Sequence, residues 1–156
     1  MNKIKISNSS KAINKKDIEN LESKYEFIFP DEYKDFLIKH NGGEPSHEYY
    51  ITRNEKIYSI ISRFFPIDVN DKFSLQSEIE EITMERELPS DLIPIAITPN
   101  ESDRVVLCIS GKNYGKVFHW SWGAQEDNCE PSYEFVEIVA DSFNEFLDML
   151  TDTRDV

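Results

Sequence analysis

The chain has 156 residues, with thirty acids against seventeen bases and a formal net charge of −13. That length fits one domain burying roughly 70% of the surface its unfolded chain exposes, and ten Phe and seven Tyr supply apolar bodies for a core. The charge excludes nucleic acid and anionic lipid as partners, because both are repelled by an acidic surface, and it favours basic ones. The distribution is uneven: residues 1–16 hold five lysines and no acid, leaving twelve bases against thirty acids, −18, for residues 17–156. Two cysteines give no disulfide framework. The N-terminal stretch lacks the apolar run of a signal peptide, and no run of 18 apolar residues exists. A cytoplasmic protein is therefore expected.

Residues 1–12 are expected as a flexible or edge-strand segment, 13–150 as a single domain, and 151–156 as a fraying tail. The first helix is expected from Lys15 to Tyr25, with Ile18, Leu21, Glu22 and Tyr25 on one stripe and Asn14 or Ser10 as cap. "FPDEYKDFLIKHNGG" predicts a second helix. Pro30 suits its first position, Asp31 and Glu32 suit the positive end of the macrodipole, and Tyr33, Phe36, Leu37 and His40 share a face. Asn41-Gly42-Gly43 tolerates positive φ and reads as a C-cap. A phosphate cradle is excluded, because its glycines precede a helix and these follow one.

"HEYYITR" and "KIYSIISRFFPID" read as a β-hairpin around Arg53–Lys56. "SLQSEIEEITMEREL" reads as a helix, with Leu75, Ile79 and Ile82 inward and Glu78, Glu81 and Glu85 as an acidic ridge on a solvated face. Strands follow at Ile93–Thr98, Asp103–Ser110 and Lys116–Trp122, the last two joined by the five-residue loop Gly111–Gly115. "GAQEDNCEPS" is an acidic loop, "YEFVEIV" an alternating strand, and Ser142–Leu150 a closing helix with a capping box at Ser142 and Glu145. The order predicts an α+β fold, a mainly antiparallel sheet with helices packed against it.

The sequence offers no constellation that demands an enzyme. The three histidines, His40, His47 and His119, lack the close spacing of metal ligands, so no metal and no cofactor is expected. His40 is expected near the C-terminal end of the second helix, and His119 as a surface or half-buried strand residue. Cys108 reads as a core residue. Cys129 lies among acids that raise a thiol's pKa and make it less reactive. Thirty acids always offer carboxylate pairs, so no single pair is informative. The aromatic strand "VFHWSWG" reads as core and edge packing of a sheet ahead of a stacking platform for bases, which needs basic surroundings. Trp and Tyr are also typical interface anchors, so a protein-binding surface is a further reading.

The segments also line up with a known family. An Ile-x-x-Leu-Glu helix (Ile18, Leu21, Glu22) is followed by Pro30, Tyr33, Lys34, Phe36 and Leu37 and then by Asn41, Gly42 and Gly43. Later come "LIPIAIT", "NYGKVFHWSW" and "VADSFNEFLDML". In this order and spacing the chain resembles the SUKH superfamily, also called the Smi/Knr family, from Asp17 to about Leu150. Phe29 stands where that pattern usually has Leu. The resemblance implies a non-enzymatic immunity protein that neutralises a cognate bacterial toxin domain, often a nuclease or deaminase. The alternative it implies is an intracellular regulatory adaptor without a toxin.

The acidic surface agrees with a basic toxin domain as partner, since charge complementarity speeds encounter. The contact set expected on chemical grounds is Glu78, Glu81 and Glu85, the loop residues Glu126, Asp127 and Glu130, and the aromatics Tyr49, Tyr50, Trp120 and Trp122.

Overall fold

A computed structural model describes residues 4–85, 88–122 and 132–152, with the side chains of 82–85 outside that description. The contact candidates Glu126, Asp127 and Glu130, together with Cys129, lie outside the described residues, as does the side chain of Glu85.

The first helix, α1, spans Lys15–Tyr25. Asn14 Oδ1 accepts from the Asp17 N–H at 3.0 Å and Asp17 Oδ2 accepts from the Asn14 N–H at 2.9 Å, a reciprocal cap for two otherwise unpaired donors. Ile18 and Leu21 are buried with Glu22, whose carboxylate accepts the buried Phe29 N–H at 2.8 Å. An acid on the apolar stripe therefore fixes the turn that follows the helix.

Helix α2 spans Asp31–Lys39. Pro30 is not its first residue but its cap, in extended geometry, and its carbonyl accepts from Tyr33 and Lys34. The Asn-Gly-Gly stretch is not the helix cap either. His40 closes the helix in extended geometry, and positive φ begins only at Gly42. What the stretch does is tertiary. Asn41 is buried. Its amide donates to the Lys11 and Ile67 carbonyls, both at 2.9 Å, and its Oδ1 accepts from Ile67 N–H. Gly43 exchanges two backbone bonds with Phe64.

Short strands β1 (Ile6–Ser7) and β2 (Glu44–Pro45) pair antiparallel, so part of the N-terminal segment is an edge strand. Strands β3 (Tyr49–Ile51) and β4 (Tyr58–Ile60) form a separate hairpin. The main sheet holds β5 (Arg63–Phe64), β6 (Leu92–Ile97), β7 (Arg104–Cys108), β8 (Val117–Trp120) and β9 (Val136–Ala140), in that order and antiparallel throughout. The fold is α+β. Helix α3 (Leu75–Glu85) packs by β6, and α4 (Phe143–Met149) lies against α2 and β9. Ser142 caps α4 by accepting from Glu145 N–H at 3.1 Å. Thr151, expected in a fraying tail, exchanges backbone bonds with Tyr49.

Period-two alternation splits the sheet into two faces. Val105 and Leu107 face a core built with Phe36, Phe64, Phe143 and Phe146, while Val106 and Cys108 face a smaller cluster with Phe118 and Trp120. Pro94 sits beside a register shift between β6 and β7, the kind of place where a strand tolerates a missing N–H.

Tyr33 is fully buried among Phe29, Phe36 and Phe143, and its hydroxyl has no partner among the described residues. Burial pushes its pKa far up. An unsatisfied buried hydroxyl costs about 1–3 kcal/mol, so Tyr33→Phe is expected to raise the unfolding free energy by about 1 kcal/mol. A fall of that size in chemical denaturation would mean that the hydroxyl is bonded in solution.

Candidate functional site

The structure rearranges the expected contact set. Glu78 is not on a solvated ridge. Its side chain is 4% exposed, and Oε1 accepts from Arg104 Nε at 2.6 Å. Helix α3 turns this carboxylate onto the sheet, where a guanidinium projects from an otherwise apolar strand. Arg104 also donates to the Glu101 and Asp103 carbonyls, at 2.8 and 3.1 Å. Burial holds the Glu78 carboxyl above its ordinary range, against the opposing pull of Arg104. Among the described side chains of α3, the exposed acids are Glu80 and Glu81. Glu80 accepts from Lys24 Nζ at 3.1 Å and from the Tyr25 hydroxyl at 2.5 Å.

Trp120 is also interior, with no exposed area, because β8 turns it into the smaller cluster. Trp122 is half-buried and stacks on it, centroids 5.0 Å apart and planes 10° apart. The Arg104 guanidinium lies 4.8 Å from the Trp122 centroid and 5.9 Å from that of Phe65. Glu78, Arg104 and Trp122 thus belong to one ion-pair and cation–π unit, to which Trp120 is joined through the ring stack.

Tyr50 is the third correction. Consecutive strand residues point to opposite faces, and Tyr50 points inward, 1% exposed. Its hydroxyl lies 2.6 Å from His119 Nδ1, and His119 Nε2 lies 3.2 Å from Asp103 Oδ2. A carboxylate only accepts, so Nε2 carries a proton, and in the neutral ring Nδ1 accepts from Tyr50. His119 is fully buried and not a surface or half-buried residue. This Tyr–His–Asp chain has the order of a proton relay, yet its hydroxyl and imidazole are closed to solvent. It ties β3 to β8 and to the turn before β7. Among the described residues, no group of three His, Cys, Asp or Glu is placed to hold a metal ion, and no helix is long and apolar enough to cross a membrane.

What the surface presents is found elsewhere. The outward face of the hairpin carries Tyr49 opposite Ile60 and Ile51 opposite Tyr58. Tyr58 is 63% exposed and Ile60 36%. The rings of Tyr49 and Tyr58 lie 6.4 Å apart at 26°. Sequence reading missed Tyr58 and Ile60. The signal was available in the alternation of "KIYSII", which puts Tyr58 and Ile60 on one face. A second acidic feature is an open depression of about 420 Å³ at the end of α1, lined by Glu19, Glu22, Glu26 and the exposed Ile28. A groove of about 250 Å³ between α2, α4 and the N-terminal strand mixes Glu32 and Asp35 with Lys39 and His40. Burial and Lys39 lower the His40 pKa.

These features define an α+β protein whose described surface carries carboxylates beside exposed aromatic and aliphatic groups. The chain belongs to the SMI1 / KNR4 family (SUKH-1), whose sequence profile matches residues 12–149. That family falls within the SUKH superfamily of immunity and adaptor proteins. No curated protein matches the chain.

Proposed function

We propose that this chain is a cytoplasmic, non-enzymatic immunity protein that binds a cognate bacterial toxin domain, a nuclease or deaminase with a basic cleft, and blocks it. The observation that carries the reading is the pairing of family membership with a net charge of −13. A toxin acting on nucleic acid carries Lys and Arg where its substrate lies. An acidic partner competes for that cleft and is steered to it, with association faster by about 10 to 10³-fold at low salt.

The expected contact set contracts accordingly. Glu78, Tyr50 and Trp120 are interior. Glu81, Tyr49 and Trp122 remain, with Glu85, Glu126, Asp127 and Glu130 as sequence-based candidates. Affinity would come from buried anchors in an interface of about 1,600 Å².

The test is a search for a toxin-like reading frame beside this gene and co-expression of the two, the absence of any such frame counting against the toxin assignment. Growth is expected to be restored by the wild-type chain. Growth arrest despite soluble expression would sink the toxin assignment and favour the adaptor reading. Turnover of a substrate by the purified chain would sink both.

A further inference from the structure

We propose that the outward face of the β3–β4 hairpin is where a basic protein partner seats arginine side chains. This rests on the reading above, that the chain works by binding such a partner. Four side chains that would ordinarily favour burial stand on that face: Tyr49, Ile51, Tyr58 and Ile60. The opposite face of the same hairpin is the buried one, carrying Tyr50. A two-stranded hairpin that already buries one side has no structural need for aromatic and β-branched groups on the other.

Carboxylates sit at the turn end of its rim. Glu55 lies in the turn, and Glu137 accepts from Asn54 at 2.8 Å. Of the hairpin's two cations, Arg53 is neutralised by Asp141 and Glu145, at 3.0 and 3.4 Å, while Lys56 lies in the turn beside Glu55.

An apolar, π-rich centre within an acidic rim fits one occupant best. A guanidinium stacks on Tyr rings with its flat face and reaches carboxylates with its edge, which a lysine ammonium does not match. The protein uses the same chemistry inside, where Arg104 lies over Trp122 while bonded to Glu78. A second copy of this chain fits poorly, because each copy brings a net charge of −13. The depression at the end of α1, lined by Glu19, Glu22 and Glu26, is the rival acidic surface, and the peptide footprint separates the two.

The test uses a hexa-arginine peptide titrated at low salt into the full-length chain, followed by NMR of tyrosine rings and isoleucine methyls. The largest shifts are expected at Tyr49, Tyr58, Ile51 and Ile60. Tyr58→Ser combined with Ile60→Ser is expected to weaken binding about tenfold with the thermal midpoint near the wild-type value, since both side chains are exposed. A hexa-lysine peptide should bind about threefold more weakly than hexa-arginine.

Shifts centred on Glu19 to Ile28, or undiminished affinity in the double variant, would overturn the assignment, and equal binding of the two peptides would overturn the preference for arginine. The two readings fail separately. Growth rescue with a peptide footprint elsewhere removes the hairpin and leaves the immunity reading. A footprint on the hairpin without growth rescue counts against the toxin and not against the surface.

Discussion

Glu78→Ala is expected to lower the unfolding free energy by about 3–5 kcal/mol, the usual result of removing one partner from a buried ion pair. The side chains of Glu78 and Arg104 are 4% and 5% exposed. Deleting the carboxylate leaves a guanidinium in the interior with two backbone carbonyls and two aromatic faces but no counter-charge. The loss is therefore the cost of a stranded charge and not the net worth of the pair. Replacing both partners separates the two quantities. Glu78→Leu with Arg104→Met removes the charges together and keeps apolar volume, so it should recover most of the stability, ending within about 2 kcal/mol of wild type. Urea denaturation of the two variants decides the matter, urea being uncharged. A loss below about 1 kcal/mol in Glu78→Ala would mean that water reaches Arg104.

The same pair shows where sequence reading stops. Helix boundaries follow from local rules, and α1 begins and ends where capping and spacing place it, at Lys15 and Tyr25. The meander β6 to β8 is legible for a similar reason, since two apolar runs flank a glycine-bounded loop and β7 pairs with β8 across it. Glu78 is different. A row of glutamates on a helix reads as a solvated face unless something marks one of them as interior. The mark was Arg104, a lone cation in "RVVLC", which needs a buried counter-ion wherever that strand is central. Spacing along α3 does not say which carboxylate supplies it. That depends on how α3 crosses β6, a tertiary fact.

Tyr50 and His119 fail by a related route. The hairpin's alternation separates Tyr49 from Tyr50, so both could not have stood on one surface, and a binding set containing both was inconsistent with strand geometry alone. Which of the two turns inward follows from the position of His119 on β8, 69 residues away in the chain. The aromatic half of the candidate site was legible in kind, as exposed aromatics within an acidic protein. It was not legible in place, because Trp120 serves as core once the sheet has two covered faces, while Trp122 stays half-buried beside it.

Gly42→Ala is expected to destabilise by about 3 kcal/mol or more, from two terms that a control can separate. Gly42 has a φ of +71°, a region that costs a side chain about 1–2 kcal/mol. A Cβ there would also lie 2.7 Å from Pro66 N and 2.8 Å from the Phe64 carbonyl oxygen. Both are backbone atoms held by the Gly43–Phe64 bridge and by Asn41 on Ile67, so the segment cannot withdraw without opening that junction. Gly111, with a φ of +80°, has nothing within 4 Å of such a Cβ. Gly111→Ala therefore carries the conformational term alone and should cost about 1 kcal/mol. The difference between the two, read by urea denaturation, measures how closely the strand passes the end of α2. Equal losses would show that the glycine is there for its dihedral angle, as a turn residue is, and that the close approach yields. A larger loss at Gly42 would place the reason for the glycine pair in the meeting of α2 with β5, which is also what brings the N-terminal strand across to Glu44 and Pro45.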